Sequence, residues 1–99
     1  MDVFVTRYGL RFAWDSEKAA SNEGKHGVSF DQACETFFDQ FVQYFDASVE
    51  DEIRTAAIGL DFLRRLLFVV HLEREPDCIR IVSARFATAG ERRIYEDNS

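Results

Sequence analysis

The apolar residues change their spacing along the chain, and this spacing predicts where strands and helices lie. The alternating "VFV" near the N-terminus, with Phe12 and Trp14 after it, is typical of extended chain. Further on, apolar residues follow the i, i+3, i+4, i+7 spacing of a single helix face. They are Phe30, Ala33, Cys34, Phe37 and Phe41. The pattern predicts an N-terminal strand region followed by a helix whose aromatic stripe belongs to the core.

Capping residues define the ends of two N-terminal helices. Asp15 stands where an N-cap is expected, and Gly27 stands where a left-handed residue ends a helix, which predicts a helix from Ser16 to His26. Ser29 and Gln32 have the spacing of a capping box and predict the start of the second helix.

Three or four strands are expected to follow: residues 41–45 are a candidate, and residues 53–59, 66–72 and 78–86 have the composition of strands. The connections "LDFLRR" and "EREPD" are short, with Pro76 in the second, so neighbouring strands are expected to run antiparallel. Residues 87–99 predict a C-terminal helix, with Thr88 as its candidate cap. The sequence therefore predicts an α+β fold, in which an antiparallel β-sheet carries two N-terminal helices and a C-terminal helix packed on it.

The length and composition favour a folded protein with a single domain over residues 1–99. Apolar residues make up 46% of the chain, and no apolar run reaches the length that spans a membrane. The N-terminus lacks the pattern of a secretory signal, so a cytoplasmic protein is expected. Cys34 and Cys78 have no metal-binding or redox spacing and are expected to be buried thiols.

The net charge of −6 argues against simple nucleic-acid binding, and no direct DNA binding is expected, but the charges are unevenly distributed. Residues 28–53 contain seven acids and no lysine or arginine, whereas residues 54–93 contain eight arginines and five acids. An acidic half and a basic half suggest two different surfaces. The acidic stretch "DASVEDE" is interpreted as a solvated turn rather than a metal site, and no sequence motif calls for a cofactor.

Two groups of residues are candidates for chemistry. Lys25 and His26 end the first helix, where cations are stabilised by the helix dipole, so a capping role and a catalytic role both remain open. Arg80 and Arg85 flank "IVSA" on a predicted strand, and a guanidinium can bind phosphate or pair with a carboxylate. Their odd spacing predicts that they point to opposite sides of the sheet.

Two blocks of sequence resemble the BrnT-type toxins of bacterial type II toxin–antitoxin systems. The first block is "WDSEKAASNEGKHGVSF", which is similar to the family pattern W-D-x-x-K-x-x-x-N-x-x-K-H-G-V-S-F. The second is "RIVSARFATAGERRIYE", which is similar to R-I-I-S-A-R-x-A-T-x-x-E-R-x-x-Y-E. The apolar turn "LDFLRR" departs from the family, in which a polar, glycine-containing turn is more usual.

The resemblance implies a RelE-like fold and a metal-independent ribonuclease that inhibits translation and growth. It implies neutralisation by a BrnA-like antitoxin with a ribbon-helix-helix DNA-binding part, in a complex with two toxins. Asn22 is expected to make a structural hydrogen bond. The alternative is a catalytically weak homologue that acts as a co-repressor with its antitoxin. The expected catalytic residues are Lys25, His26, Arg80 and Arg85, and the expected substrate-binding residues are Arg54 and Arg93.

Overall fold

The computed structural model describes residues 1–75 and 77–98, which form a six-stranded sheet and three α-helices. Pro76, in the predicted last turn, lies outside the described residues. The helices are α1 (Ser16–His26), α2 (Phe30–Cys34), a 3₁₀ helix (Glu35–Phe38) and α3 (Ala89–Asn98). The strands are β1 (Asp2–Arg7), β2 (Leu10–Asp15), β3 (Gln43–Asp46), β4 (Thr55–Leu60), β5 (Leu66–Glu75) and β6 (Cys78–Phe86).

The sheet is mixed, so the prediction of a purely antiparallel sheet is wrong. The strand order is β1-β2-β6-β5-β4-β3; β2 and β6 run parallel, and the other neighbours are antiparallel. The short connections determine pairing within β1–β2 and within β3–β6, but they do not show how these two groups meet. Phe12, Ala13 and Trp14 are all buried, as expected for a strand that is covered on both faces of the sheet.

The predicted first helix is confirmed, and its caps have the expected geometry. The Asp15 carboxylate accepts a hydrogen bond from the Lys18 amide at 3.0 Å. Gly27 has a left-handed conformation with φ of +70°, and its amide donates to the Glu23 carbonyl at 2.8 Å. Local sequence chemistry is therefore sufficient to define both ends of α1.

The second helix is shorter than its apolar stripe suggests. It begins after Ser29, whose hydroxyl accepts from the Gln32 amide at 3.0 Å, and then tightens into the 3₁₀ helix. Phe41 lies beyond both helices and is exposed, so its predicted place on the stripe is wrong. The Gln32 side chain donates to Asp61 at 2.9 Å, so only half of the predicted capping box forms.

Helices cover both faces of the sheet. Ala57 and Ile58 are neighbours on β4 and point to opposite faces: Ala57 belongs to the main core, and Ile58 packs with Tyr95 of α3. We call these the α1 face and the α3 face. The main core on the α1 face comprises Phe12, Trp14, Val28, Phe30, Ala33, Cys34, Ala57, Leu67, Val69, Ile81 and Ala84.

The two cysteines are free and buried, as expected. Burial raises the pKa of Cys34 to about 12, and its thiol donates to the Phe30 carbonyl. A thiol with such a pKa is not a nucleophile at neutral pH, which agrees with a structural role.

Candidate nucleic-acid-binding face

Arg80 and Arg85 lie on the same face of β6, the α3 face, and the prediction that they point to opposite sides is wrong. Ile81 follows Arg80, Ala84 precedes Arg85, and both of these apolar residues belong to the main core on the α1 face. Each arginine is therefore directed away from that core. The two guanidinium groups emerge on the side of the sheet that carries α3.

A β-bulge in β6 explains this arrangement. His71 pairs with Ile81, whereas the preceding residue, Val70, pairs with Ser83, so Val82 is an extra residue in β6. One extra residue reverses the alternation of side chains along the rest of the strand. Sequence spacing alone could not reveal this because the bulge depends on pairing with β5.

Arg80 reaches across β2 to the first strand of the sheet. Its Nη2 donates to Asp2 Oδ1 at 2.7 Å, and the side chain is 23% exposed. The hydrogen bond from Arg80 lowers the pKa of the Asp2 carboxyl, and the same bond raises the pKa of Arg80. This ion pair is accessible to solvent, so another anion can compete with Asp2 for the guanidinium.

Arg85 is held more tightly than Arg80. Both terminal nitrogens donate to Glu91, at 2.8 and 2.9 Å, and the guanidinium carbon lies 4.2 Å from the centroid of the Phe68 ring. Glu91 also accepts from the Thr88 amide at 2.9 Å, while the Thr88 hydroxyl accepts from the Glu91 amide at 3.2 Å. The hydrogen bonds from Arg85 lower the pKa of Glu91. Arg85 is thus tied to the start of α3.

Lys25 and His26 are exposed in the last turn of α1, and Asn22, one turn earlier, joins that helix to β6. The Asn22 amide donates to the Ala84 carbonyl at 2.8 Å and accepts from the Ala84 amide at 3.1 Å. The expected structural role of Asn22 is confirmed. Because Asn22 bonds the backbone amide and carbonyl of Ala84, the end of α1 with Lys25 and His26 lies at the edge of β6 near Arg85. However, α1 packs against the main core of the α1 face, whereas Arg85 points to the α3 face.

The two expected substrate-binding residues lie on other elements. Arg54 lies in the connection between β3 and β4 and forms an ion pair with Glu52. Arg93 is exposed on α3. Tyr95 of α3 is buried, and its hydroxyl donates to Asp39 Oδ2 at 2.5 Å.

The comparison with protein families decides what kind of protein this is. The family model described as the ribonuclease toxin BrnT of a type II toxin–antitoxin system matches residues 14–91. The chain belongs to the BrnT toxin family. The resemblance of the two sequence blocks is confirmed.

Comparison with solved structures agrees with the family. The chain is similar to the crystal structure of the Brucella abortus ribonuclease toxin BrnT, with a TM-score of 0.61 and 25% sequence identity. The similarity covers 76% of this chain and 92% of that chain. No curated protein sequence matches. Membership of a type II toxin family implies an antitoxin partner for the chain.

The family model matches only part of this BrnT-family chain, so some candidate residues lie inside the match and others lie outside it. It includes both arginines of β6, the Lys25-His26 pair and Arg54, but it ends before Arg93 and begins after Asp2. Within residues 1–75 and 77–98, no group of three or more His, Cys, Asp or Glu side chains could hold a metal ion. No helix in the same ranges has the length and apolarity needed to cross a membrane.

Sequence reasoning missed three residues that shape the site and the core. Asp2 gives no local signal because its partner is 78 positions away. Glu91 could have been found from the T-x-x-E spacing with Thr88. His71 is buried against Phe37, with ring centroids 4.9 Å apart, and neither ring nitrogen has a hydrogen-bond partner among the described residues.

Proposed function

We propose that this BrnT-family toxin is an endoribonuclease that cleaves RNA on its α3 face and at the adjoining edge of β6, where α1 ends. The observation that carries the proposal is the β-bulge, which brings Arg80 and Arg85 to one face in a family of ribonuclease toxins. Two guanidinium groups on one face can bind neighbouring phosphate oxygens or stabilise charge that develops on one phosphate. We also propose a RelE-like relationship for the fold and a cytoplasmic site of action, where messenger RNA is available.

The proposed reaction needs no metal. The 2′-hydroxyl attacks the adjacent phosphorus while a base removes its proton, and the bond to the 5′-oxygen breaks as an acid protonates that oxygen. The products are a 2′,3′-cyclic phosphate and a 5′-hydroxyl. His26 is proposed as the acid or the base because a neutral imidazole can accept a proton and an imidazolium can donate one. Lys25, Arg80 and Arg85 would stabilise the phosphorane, and Arg54 and Arg93 would bind flanking phosphates.

The ion pairs give the two arginines different roles. A phosphate can replace Asp2 on the partly exposed Arg80, which makes one hydrogen bond to a carboxylate. Arg85 has both terminal nitrogens occupied by Glu91, so it contributes positive charge and holds α3 in place until substrate binds. Arg80 is therefore the more available phosphate ligand.

Inducing the chain in bacterial cells without its antitoxin tests this function. Parental protein should stop growth and degrade cellular RNA, and Arg80→Ala should lose roughly 10²–10³ of the cleavage rate. Arg7→Ala is a matched control because Arg7 also forms an ion pair, with Asp31 at 2.7 Å. Equal toxicity of the Arg80→Ala and Arg7→Ala proteins would remove Arg80 from the site.

We propose that the partner is a BrnA-like antitoxin with a ribbon-helix-helix part, which dimerises and so recruits two toxins. The antitoxin would supply the DNA contacts and cover the α3 face, blocking RNA entry. Reversing both charges, in Arg80→Glu with Arg85→Glu, should weaken antitoxin binding as well as cleavage. Parental affinity in this double variant would mean that inhibition works away from the α3 face.

A second function is favoured by the charge distribution. The chain carries a net charge of −6, and both arginines of β6 are paired with carboxylates, which disfavours binding of a polyanion. A weak catalyst could act mainly as a co-repressor bound to its antitoxin. Growth arrest and RNA degradation by the chain alone would exclude this alternative.

A further inference from the structure

Three aromatic rings from separate parts of the chain meet on the surface. Tyr8 lies in the β1–β2 turn, Phe38 ends the 3₁₀ helix, and Phe62 lies in the β4–β5 turn. The Tyr8 ring centroid is 5.3 Å from that of Phe38 and 6.2 Å from that of Phe62. Tyr8 is 78% exposed, Phe62 is 54% exposed, and the adjacent Leu63 is 72% exposed. We call Tyr8, Phe38, Phe62 and Leu63 the aromatic cluster.

The aromatic cluster lies on the α1 face, away from the arginines. Phe38 packs against the main core on that face, and the rings of Tyr8 and Phe62 contact it from outside. Arg80 and Arg85 emerge on the α3 face. The cluster is therefore not a part of the proposed RNA site.

The backbone at Tyr8 is unfavourable for an aromatic residue. Tyr8 and Gly9 have φ of +49° and +86°, which is the pattern of a two-residue turn with both residues left-handed. Asn or Asp is preferred at the first of these positions, and a bulky residue there is strained. Because the ring is mostly exposed, core packing does not explain why a strained tyrosine occupies this position. A contact between the ring and a partner would explain it.

The β4–β5 turn holds its two apolar side chains in fixed positions. The buried Asp61 carboxylate accepts from the amides of Leu63 and Arg65, at 2.9 and 2.8 Å. The Phe62 amide donates to Glu35 at 2.9 Å. An ordered backbone that presents apolar side chains to solvent is preorganised for binding, because little conformational entropy is lost on contact.

The surroundings of the cluster are acidic. A hollow of about 320 Å³ beside Phe38 and Phe62 is lined by the carboxylates of Glu35 and Asp39, against one basic residue, Arg64. Asp61 also lines it, but its carboxylate is buried and paired with Arg65 at 2.8 Å. This charge disfavours RNA. It also disfavours a symmetric contact with a second copy, which would bring the same carboxylates together. A basic protein segment complements it.

We propose that the aromatic cluster is a docking surface for the antitoxin. It would bind a segment in which an apolar side chain stands next to a lysine or arginine: the apolar group would contact Tyr8 and Phe62, and the cation would face the acidic hollow. The proposal rests on the antitoxin partner that the family implies and does not depend on RNA cleavage. The antitoxin would then hold the toxin at two surfaces, the aromatic cluster and the α3 face that carries the arginines.

Tyr8→Asn tests the proposal without harming the fold, because asparagine suits the left-handed conformation at this position. The antitoxin encoded in the same operon is purified and its Kd for each toxin variant is measured. Tyr8→Asn should raise the Kd about 10- to 100-fold, as expected for an aromatic anchor, with an unchanged or higher Tm. Tyr8→Phe, which keeps the ring, should retain the parental Kd. Phe62→Ser with Leu63→Ser should weaken binding further.

Val49→Ser is a control at an exposed apolar residue outside the cluster. Parental affinity in Tyr8→Asn and in the Phe62→Ser/Leu63→Ser protein would overturn the proposal. A parental chain that is a dimer, and that Tyr8→Asn converts to a monomer, would also overturn it, since the surface would then bind a second copy.

RNA cleavage should stay unchanged in these variants. A loss of cleavage with parental affinity for the antitoxin would assign the surface to RNA. If the parental chain never cleaves RNA, the proposed ribonuclease function is wrong, but the proposed docking surface is not affected.

Discussion

Arg80 and Arg85 show how the surroundings of a side chain decide its role. Both were expected from the sequence to contact phosphate. The structure gives Arg80 a single accessible carboxylate partner and gives Arg85 a bidentate partner and a ring beneath it. The sequence predicts the two arginines but not their partners. Asp2 comes close to Arg80, and Phe68 to Arg85, only in the folded chain.

Arg85→Ala should destabilise the fold more than Arg80→Ala does. It leaves the partly buried Glu91 carboxylate without its bidentate partner and removes the stack on Phe68, for a cost of about 1–2 kcal/mol after solvent screening. Urea unfolding of both single variants measures the difference. Adding Glu91→Ala completes a double-mutant cycle, and a coupling energy near zero would show that the pair does not stabilise the protein.

His26→Gln separates catalysis from helix capping. If His26 transfers a proton, the variant should lose most RNA cleavage, and its Tm should stay nearly the same because the side chain is exposed. Cleavage is measured per folded molecule, beside thermal unfolding. A lower Tm with cleavage retained would instead assign His26 to capping of α1.

His71 should make stability depend on pH. Burial lowers its pKa from the ordinary 6.5 to about 4, so between these values the unfolded chain binds more protons than the folded chain. The free energy of unfolding should fall, by up to roughly 3 kcal/mol, as the pH drops from 6.5 to 4. In His71→Leu this part of the pH dependence should disappear. An identical pH profile for the two proteins would contradict the burial of a neutral imidazole.

The elements differ in how well the sequence determines them. The bounds of α1 and β6 follow from local signals, namely caps for the helix and an alternating apolar pattern for the strand. The position of β2 beside β6 and the bulge in β6 depend on pairing between distant strands, which no local pattern contains. The sequence was therefore sufficient to predict the family, but not that Arg80 and Arg85 share one face of the sheet.

Asn22 should be essential for the attachment of α1 to β6. Its buried amide makes three hydrogen bonds, two to Ala84 and one to the Val28 carbonyl at 3.1 Å. Asn22→Ala leaves those backbone groups unpaired and should cost about 2–4 kcal/mol. Chemical denaturation measures this loss. Asn22→Asp retains the acceptor but not the donor, and it should be destabilised because a buried carboxylate would face two carbonyls. Parental stability in either variant would contradict the role.

At the scale of the whole molecule, the arginines and the aromatic cluster lie on opposite faces of the sheet, and we propose different contacts for each. The α3 face presents the arginines, and the α1 face presents the aromatic cluster with its acidic hollow. The acidic surface lowers affinity for RNA away from the arginines, since repulsion between the net negative charge and phosphates extends over about 8–10 Å at physiological salt. Binding of RNA is therefore expected to be local and sensitive to charge changes on the α3 face.

The most direct test is incubation of the purified chain with a defined single-stranded RNA in the presence of EDTA. The account predicts cleavage without metal, products that end in a 2′,3′-cyclic phosphate and a 5′-hydroxyl, and a rate lowered roughly 10²–10³-fold by Arg80→Ala. Intact RNA, or cleavage at the same rate by the Arg80→Ala protein, would contradict the assignment of an active site to the α3 face.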